Sequence, residues 1–452
     1  MTDTLIKNAT LITSEATFRA DLAIEGETIA AIGTDLHRPG AQIIDATGKF
    51  LIPGAVDIHV HMQMPLPSGV VSSDDFYTGT RAAAHGGTTT IVDFVAPEPE
   101  QPMLEAIAAR RAEADPRVVV DYALHMTLSP HELTKLAEMP AVVAAGCTTF
   151  KLYMAYGFRL RDDELLRALE AVRDVGGLPV VHAENWDVIT MLVQRHLAAG
   201  HTSPAWHPRS RPARLEAEAA SRLIDLAEYA GVPVHIFHIG CKEVIERVAA
   251  ARVRGLPVTG ETCPQYFMLT DDVYETSTLP ICSPPIRGAA DQAAIWHALA
   301  HDQLQLISTD HCPFTRAEKD QPNFSLVPGG VPSIEARLAL AYTYGVRAGH
   351  LTPNQWVNLC CTAPARLMGL ARKGHLAPGY DADLVIFDPH TARTLSTDTL
   401  HENVDWTPYE GMTVQGWPSH VFSRGQMVVD DGAFTGAAGH GRYIHRRPDP
   451  NA

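Results

Sequence analysis

Positive charge is scarce in this chain: 36 Lys and Arg stand against 52 Asp and Glu, a net charge of −16. That balance argues against nucleic acid as a partner and for a soluble, self-repelling surface. Long apolar runs are missing too. None reaches 18 residues, so no membrane span is expected. Met1 to Gly33 carries polar residues every few positions, so no secretory signal is visible. The seven cysteines are odd in number, scattered and without a Cys-x-x-Cys pair, as in a reduced, cytoplasmic chain. With 33 Gly and 32 Pro, neither a collagen-like nor a low-complexity chain fits. There is no Gly-x-Ser-x-Gly elbow for a serine nucleophile, and no Walker or Gly-x-Gly-x-x-Gly loop for a nucleotide.

What is present is core material with a rhythm. Hydrophobic residues make up 46% of the 452 and charged residues 19%, enough for several domains or for one large barrel with insertions. Eight apolar, strand-like runs follow one another: Ala55–Val60, Thr88–Val95, Val118–His125, Thr148–Met154, Leu178–His182, Val232–His238, Leu256–Gly260 and Leu304–Ser308. Helical patterns lie between them, at Asp75–Ala84, Met103–Ala114, Asp162–Val175, Arg214–Ala230 and Cys241–Arg254. In the fourth, Glu216, Glu218 and Arg222 fall on a polar side and Leu215, Leu223, Ile224 and Leu226 on an apolar one. Continuous apolar runs predict strands buried on both faces, as in a parallel sheet. Eight strand–helix units predict an α/β fold, a (β/α)8 barrel over residues 52–377. The two ends read differently. Thr4–Ile12, Ala20–Ile24, Thr28–Ile32, Asp383–Phe387 and Met427–Asp430 are short strands with turns. Residues 1–51 and 378–452 are therefore expected to form one small β-sandwich domain beside the barrel.

In such barrels the chemistry sits at the C-terminal ends of the strands. His59-x-His61 has the period-two spacing that turns both imidazoles to one face, where they reach one cation together. His182 and His238 end the fifth and sixth runs, and Asp310 follows the eighth. Each alone reads equally well as a buried, hydrogen-bonded core residue. Their joint occurrence at strands 1, 5, 6 and 8 points to a metal centre with mixed nitrogen and oxygen ligands. Lys151, near the end of the fourth run, reads either as a surface or salt-bridging lysine or as a lysine carboxylated by CO2. Only the second form carries the sign of charge that suits a divalent ion.

These residues belong to longer stretches. Pro53–His61, Gly86–Thr90, Phe150–Tyr156, His182–Asn185, Glu261–Tyr266, Ser283–Arg287, Ser308–Phe314 and Gly374–Leu384 together resemble the dihydropyrimidinase and D-hydantoinase branch of the cyclic amidohydrolases. The resemblance covers nearly the whole chain. It implies a homotetrameric enzyme with two divalent ions, Zn2+, bridged by N6-carboxylated Lys151. His59, His61 and Asp310 would hold one ion; His182 and His238 would hold the other. It also implies substrate contacts from the Tyr156 hydroxyl and the Ser283 backbone. A third contact falls near Gly329, where Val327-Pro328-Gly329-Gly330-Val331-Pro332 replaces the family's Pro-Asn-Gly-Gly-Pro stretch. Gly240 is a second departure, standing where the family often has Ser. In the implied reaction Tyr156 donates to the developing oxyanion, while Asp310 moves a proton from water to the leaving ring nitrogen. The substrates are small cyclic amides: hydantoins and 5,6-dihydropyrimidines, opened to N-carbamoyl amino acids.

Rival readings are sorted by a few residues. Dihydroorotases carry an Arg just after His-x-His, where this chain has Met62, Gln63 and Met64. An allantoinase-type ureide hydrolase shares the metal motifs, but apolar Met62, Met64 and Leu66 suit a hydrophobic substituent better than a polar ureido group. The non-catalytic collapsin-response mediator proteins share the fold and lack much of the metal set, all of which is present here. Cys263, Cys282 and Cys312 lie near strand ends and read as small buried hydrophobes. Neutral rings are therefore the expected substrates. In a hydrolysis panel, kcat/KM for dihydrouracil or a 5-substituted hydantoin should exceed that for dihydroorotate, and the reverse order would sink this reading of the loop.

Overall fold

The computed structural model describes residues 3–447. Five strands precede the barrel: β1 (Thr4–Ile12), β2 (Thr17–Glu25), β3 (Thr28–Gly33), β4 (Gln42–Asp45) and β5 (Phe50–Pro53). The barrel strands are β6 (Ala55–Asp57), β7 (Thr88–Val95), β8 (Asp121–Leu128), β9 (Thr149–Tyr153), β10 (Leu178–His182), β11 (Val234–Ile236), β12 (Val258–Thr262) and β13 (Leu306–Ile307). Four more follow: β14 (Leu384–Thr394), β15 (Thr413–Ser423), β16 (Gln426–Asp430) and β17 (Ala433–Phe434).

Each of the eight expected runs overlaps one barrel strand, with β8 and β12 extending past the expected ends, and β6 to β13 pair in sequence order. β7 and β8 are buried at every position, which is why their sequences run mostly apolar or β-branched without alternation, Asp93, Asp121 and His125 aside. The ring shuts beyond the last ladder bonds. Val60 bridges His311, and the His61 N–H donates to the His311 carbonyl at 2.8 Å. The first strand stops at Asp57 rather than Val60 because the Asp57 carboxylate takes over from the ladder. It accepts the N–H of His59 and of Thr309, each at 3.2 Å, and the Thr309 hydroxyl at 2.7 Å. Below this seam Arg337 is fully buried. It donates to the Val56 and Ile307 carbonyls at 2.8 Å each and to Thr88 Oγ1 at 3.0 Å, joining β6, β7 and β13.

The five expected helices are present, at Phe76–His85, Met103–Ala114, Asp162–Asp174, Ala213–Ala230 and Lys242–Val253. Asp75 starts the first by accepting the N–H groups of Tyr77 and Thr78, both at 2.8 Å. One side chain leaves its expected face. Glu216 is buried, while Glu218 stays exposed. The Glu216 carboxylate accepts from the Arg287 guanidinium at 2.9 Å and from the Gly240 N–H at 3.1 Å, and these partners from outside the helix outweigh the face pattern. Among the described residues no helix is long and apolar enough to cross a membrane.

The chain ends meet in one sheet of order β17-β16-β15-β14-β5-β1-β2-β3, with β4 beside β1. Antiparallel pairing of β5 with β14, Leu51 opposite Ile386, joins the early strands to the late ones. The sheet then folds onto itself. Ile29 N–H donates to Tyr380 O at 3.0 Å, Ala382 N–H to Glu27 O at 2.8 Å, and Gly425 N–H to Ala382 O at 2.9 Å. Ile6, Leu11, Leu22, Ile24, Leu384, Ile386 and Phe422 share the enclosed core. The β16–β17 hairpin turns on Asp431 and Gly432, with φ of 46° and 80°, as a two-residue Asp-Gly turn requires. The sequence reading shows no strand at β4 or β15. β4 is short and largely exposed, and Gly416 and Pro418 inside β15 read as breakers.

Arg337→Leu is expected to lower the unfolding free energy by about 3–5 kcal/mol, because it strips the nearby buried Asp57 of its cation. Urea denaturation checks this. A loss below about 1 kcal/mol, within the range of a surface pair, would show that the seam holds without it.

Candidate active site

The C-terminal ends of the barrel strands open on a cavity of about 830 Å3. His59, His61, Lys151, His182, His238 and Asp310 line it, together with Tyr156, Ser283 and Gly329, so every site residue expected from the sequence reaches one place. The Nε2 atoms of His59 and His61 each lie 3.1 Å from Asp310 Oδ1. His59, His238 and Asp310 bring potential ligand atoms within 4.8 Å of one another. The His182 ring centroid stands 4.5 Å from that of His238. Lys151 Nζ lies 4.2 Å from the Phe237 ring centroid and 4.7 Å from that of Tyr153.

Local backbone explains the convergence. Lys151 and His182 project from β9 and β10, whereas the other ligand candidates follow the ends of their strands. Tyr156, His238 and Asp310 have φ of 72°, 41° and 52°, a left-handed conformation that costs a non-glycine residue about 1–3 kcal/mol. Gly329 lies beside Ser283: a Cβ there would stand 3.8 Å from Ser283 Oγ. Its neighbour Gly330 cannot carry a side chain, since a Cβ would meet the Cys312 carbonyl oxygen at 2.3 Å. All seven cysteines are buried and free, Cys263, Cys282 and Cys312 included.

Burial sets the charge state of this group. It holds His59 and His238 well below the ordinary imidazole pKa, helped by Lys151 and the neighbouring histidines, and it lowers His182 as well. Those three imidazoles are thus neutral donors. Burial also pushes the Lys151 ammonium down to about 7, against the pull of Asp310 and Glu261. Lys151 is neither of the ordinary lysines considered from the sequence. It is 1% exposed, and among the described residues no carboxylate lies within ion-pair reach of it.

Three supporting residues carry no role in the sequence reading. Glu261, at the end of β12, stands 2.6 Å from His59 Nδ1, and Glu184 stands 2.8 Å from His182 Nε2. Such carboxylates fix the ring orientation and tautomer of a ligating histidine. Arg211 pairs with Glu184. Burial would raise the Glu184 carboxyl, but Arg211 and His182 outweigh it and hold it down to about 2. The carboxylates had a signal, His182-x-Glu184 and a Glu closing the seventh strand. Arg211 had none.

One member of the expected apolar wall is elsewhere. Met62 is fully buried in the core, its sulfur 2.3 Å from where a Cβ on Gly79 would stand. Only a glycine on the neighbouring helix leaves room for it, and so Met62 turns away from the cavity. Met64 and Leu66 do line the cavity, with Phe158, Ile189, Val193 and Leu326.

The amidohydrolase family profile matches residues 50–428. The chain belongs to the amidohydrolase family. It is similar to the D-hydantoinase of Geobacillus stearothermophilus, 42% identical over 453 residues that cover 98% of this chain and 96% of that one. A D-hydantoinase of Streptomyces coelicolor is 42% identical over 459 residues, 98% of each chain. The crystal structure of dihydropyrimidinase from Brevibacillus agri NCHU1002 superposes with a TM-score of 0.97 at 40% identity, covering 99% of each chain. This amidohydrolase therefore lies in the hydantoinase and dihydropyrimidinase branch, and its (β/α)8 barrel is that of its relatives. The family implies a binuclear metal site, and the histidine and aspartate cluster at the cavity floor is a group able to hold metal.

His59→Ala and His61→Ala are expected to lose bound metal and activity while the circular dichroism spectrum stays native. Full activity with unchanged metal content would reject the pair as ligands. Glu261→Gln should weaken metal binding by about 10–100-fold, read by competition with a chelator.

Proposed function

We propose that this amidohydrolase opens the ring of 5-substituted hydantoins and 5,6-dihydropyrimidines to N-carbamoyl amino acids, with two Zn2+ ions as cofactors. Its family and its full-length relatives make it a cyclic amide hydrolase. The ring, the metal and the residue roles are the proposal. One observation carries it: four buried imidazoles, Asp310 and Lys151 converge on the floor of a single cavity with an apolar wall.

The donor set suits metal ions. His61 Nδ1 and His238 Nδ1 are buried without a hydrogen-bond partner, at a cost of about 1–3 kcal/mol each if left so. His125 and His235, in the same barrel, show the contrast. His125 is satisfied by Thr149 Oγ1 at 2.7 Å and Ile58 O at 2.8 Å, and His235 by Thr259 Oγ1 at 2.8 Å. Imidazole nitrogen with carboxylate oxygen is a zinc donor set. His59, His61 and Asp310 would hold one ion, and His182 and His238 the other. Lys151 would serve both as a carbamate. With its pKa lowered to about 7, the buried amine is about half neutral near pH 7, the form that adds CO2 with loss of a proton, and the anion formed replaces an ammonium that cations repel. When bound, the two ions supply hydroxide near neutral pH and polarise the ring carbonyl.

The remaining steps belong to the chain. Asp310 accepts the water's proton and returns it to the ring nitrogen as that nitrogen leaves. Tyr156 stays protonated, since burial pushes its hydroxyl up, and it donates to the oxyanion. The backbone at Ser283 and Gly329 holds the polar edge of the ring. Met64, Leu66, Phe158 and Leu326 receive the substituent. Arg211 lines the cavity, but Glu184 matches its charge, which leaves a substrate carboxylate no free partner and disfavours dihydroorotate. The apolar wall likewise disfavours the ureido group of allantoin. A homotetramer and a cytoplasmic setting go with this reading; light scattering checks the first.

A panel of dihydrouracil, 5-substituted hydantoins and allantoin at equal enzyme concentration tests the substrate, and faster turnover of allantoin would overturn the reading. Lys151→Ala and Lys151→Arg should be nearly inactive and poor in metal. Short carboxylic acids should restore part of the activity of Lys151→Ala. A density map showing an unmodified Lys151 turned away from two fully occupied metal positions would defeat the carbamate.

A further inference from the structure

We infer that a second, non-catalytic Zn2+ site is built from His85, Glu335 and His401. The three meet where the last turn of the helix Phe76–His85 packs against the loop between β14 and β15. They bring one potential ligand atom each within 4.8 Å of the others. The imidazoles of His85 and His401 are stacked, with centroids 3.5 Å apart and planes inclined by 2°. His401 Nδ1 lies 2.9 Å from Glu335 Oε1.

Two features ask for a cation. The Glu335 side chain is 0% exposed, yet among the described residues no Lys or Arg comes within ion-pair reach of it. Its partners are the His401 ring and the His401 N–H at 2.6 Å. The Glu402 carboxylate, also buried, faces the same segment by accepting the Glu335 N–H at 3.4 Å. The two nearby arginines feel the cluster's charges but make no ion pair with Glu335. Arg81 donates to the His401 carbonyl at 3.2 Å, and Arg393 lies 4.3 Å over the Trp417 ring. A buried carboxylate without a cation is costly. The second feature is His85, 3% exposed, whose ring makes no hydrogen bond to protein among the described residues and whose nitrogens, not sealed from solvent, are free to ligate.

Two imidazoles and a carboxylate suit Zn2+, whose ligand atoms stand about 2.0–2.2 Å from the ion. The ion would take the place of the proton shared by His401 and Glu335. The His401 side chain is 34% exposed, so its ring can tilt out of the stack, and the fourth position opens to water. The site would fasten the loop at its connection to the barrel mouth. In that loop Asn403 N–H donates to Asp74 Oδ1 at 3.0 Å, and Asp74 Oδ2 lies 3.0 Å from Nε2 of His311, next to Asp310. This site stands apart from the catalytic reading, and neither depends on the other.

The test is zinc per chain in the holoenzyme, dialysed against micromolar Zn2+ and measured by plasma mass spectrometry. Wild type is expected to carry one more zinc per chain than His401→Ala, with kcat the same in both. Added Zn2+ should raise the melting temperature of wild type and leave that of His401→Ala unmoved. His85→Gln provides the same subtraction should His401→Ala fail to fold. Equal zinc content in wild type and a folded variant overturns the proposal, whatever the catalytic ions do.

Discussion

Asp57 has no exposed surface, and its carboxylate nonetheless gathers the His59 N–H, the Thr309 N–H and the Thr309 hydroxyl, with Arg337 3.8 Å away. The two Thr309 bonds span 252 positions of sequence and fasten the first barrel strand to the last. His59 and His61 issue from one side of that seam and Asp310 from the other. The 3.1 Å approaches of both imidazoles to Asp310 thus follow from where one buried charge stitches the ring. Had ordinary ladder bonds continued to Val60, the backbone at Thr309 would have no reason to turn Asp310 inward.

The barrel pairs this precision with an uncomfortable electrostatic arrangement. Four histidines and a lysine share a buried floor, where burial holds down the pKa of His59, His182, His238 and Lys151. Three residues of the site, Tyr156, His238 and Asp310, are held in left-handed backbone. A core built for stability alone would resemble the layer around His125 and His235, with ring nitrogens matched to a hydroxyl or a carbonyl. At the site, nitrogens are left unmatched instead, and the closely packed (β/α)8 frame around them is what holds that arrangement in place.

Features governed by periodicity and residue type were legible in the sequence. The eight barrel strands fall on runs visible in the sequence, the helix after Asp75 has a cap, those at Asp162–Asp174 and Ala213–Ala230 have an apolar side, and the His, Lys and Asp residues stand at strand ends where a barrel places its chemistry. Features governed by distant partners were not. Glu216 reads as a polar-face residue until Arg287 and the Gly240 N–H arrive from other elements. Met62 reads as pocket wall until Gly79 offers it a slot. β15 hides behind Gly416 and Pro418, and Arg211 has no local pattern that would announce its pairing with Glu184. For the side chains the deciding contact is made by a residue of another element, and for β15 its own Gly and Pro hide the strand.

The terminal sheet has a further consequence, for the order in which the molecule can be made. β5 finds its neighbour β14 only across the whole barrel, some 330 positions later. At synthesis rates of about 5–20 residues per second the wait is tens of seconds. During it the early strands present an unpaired edge, the feature that invites pairing with the wrong chain. The barrel must then be largely wound before the sheet that flanks it can close, so the late strand β14 acts as the seal on a structure begun at the other end.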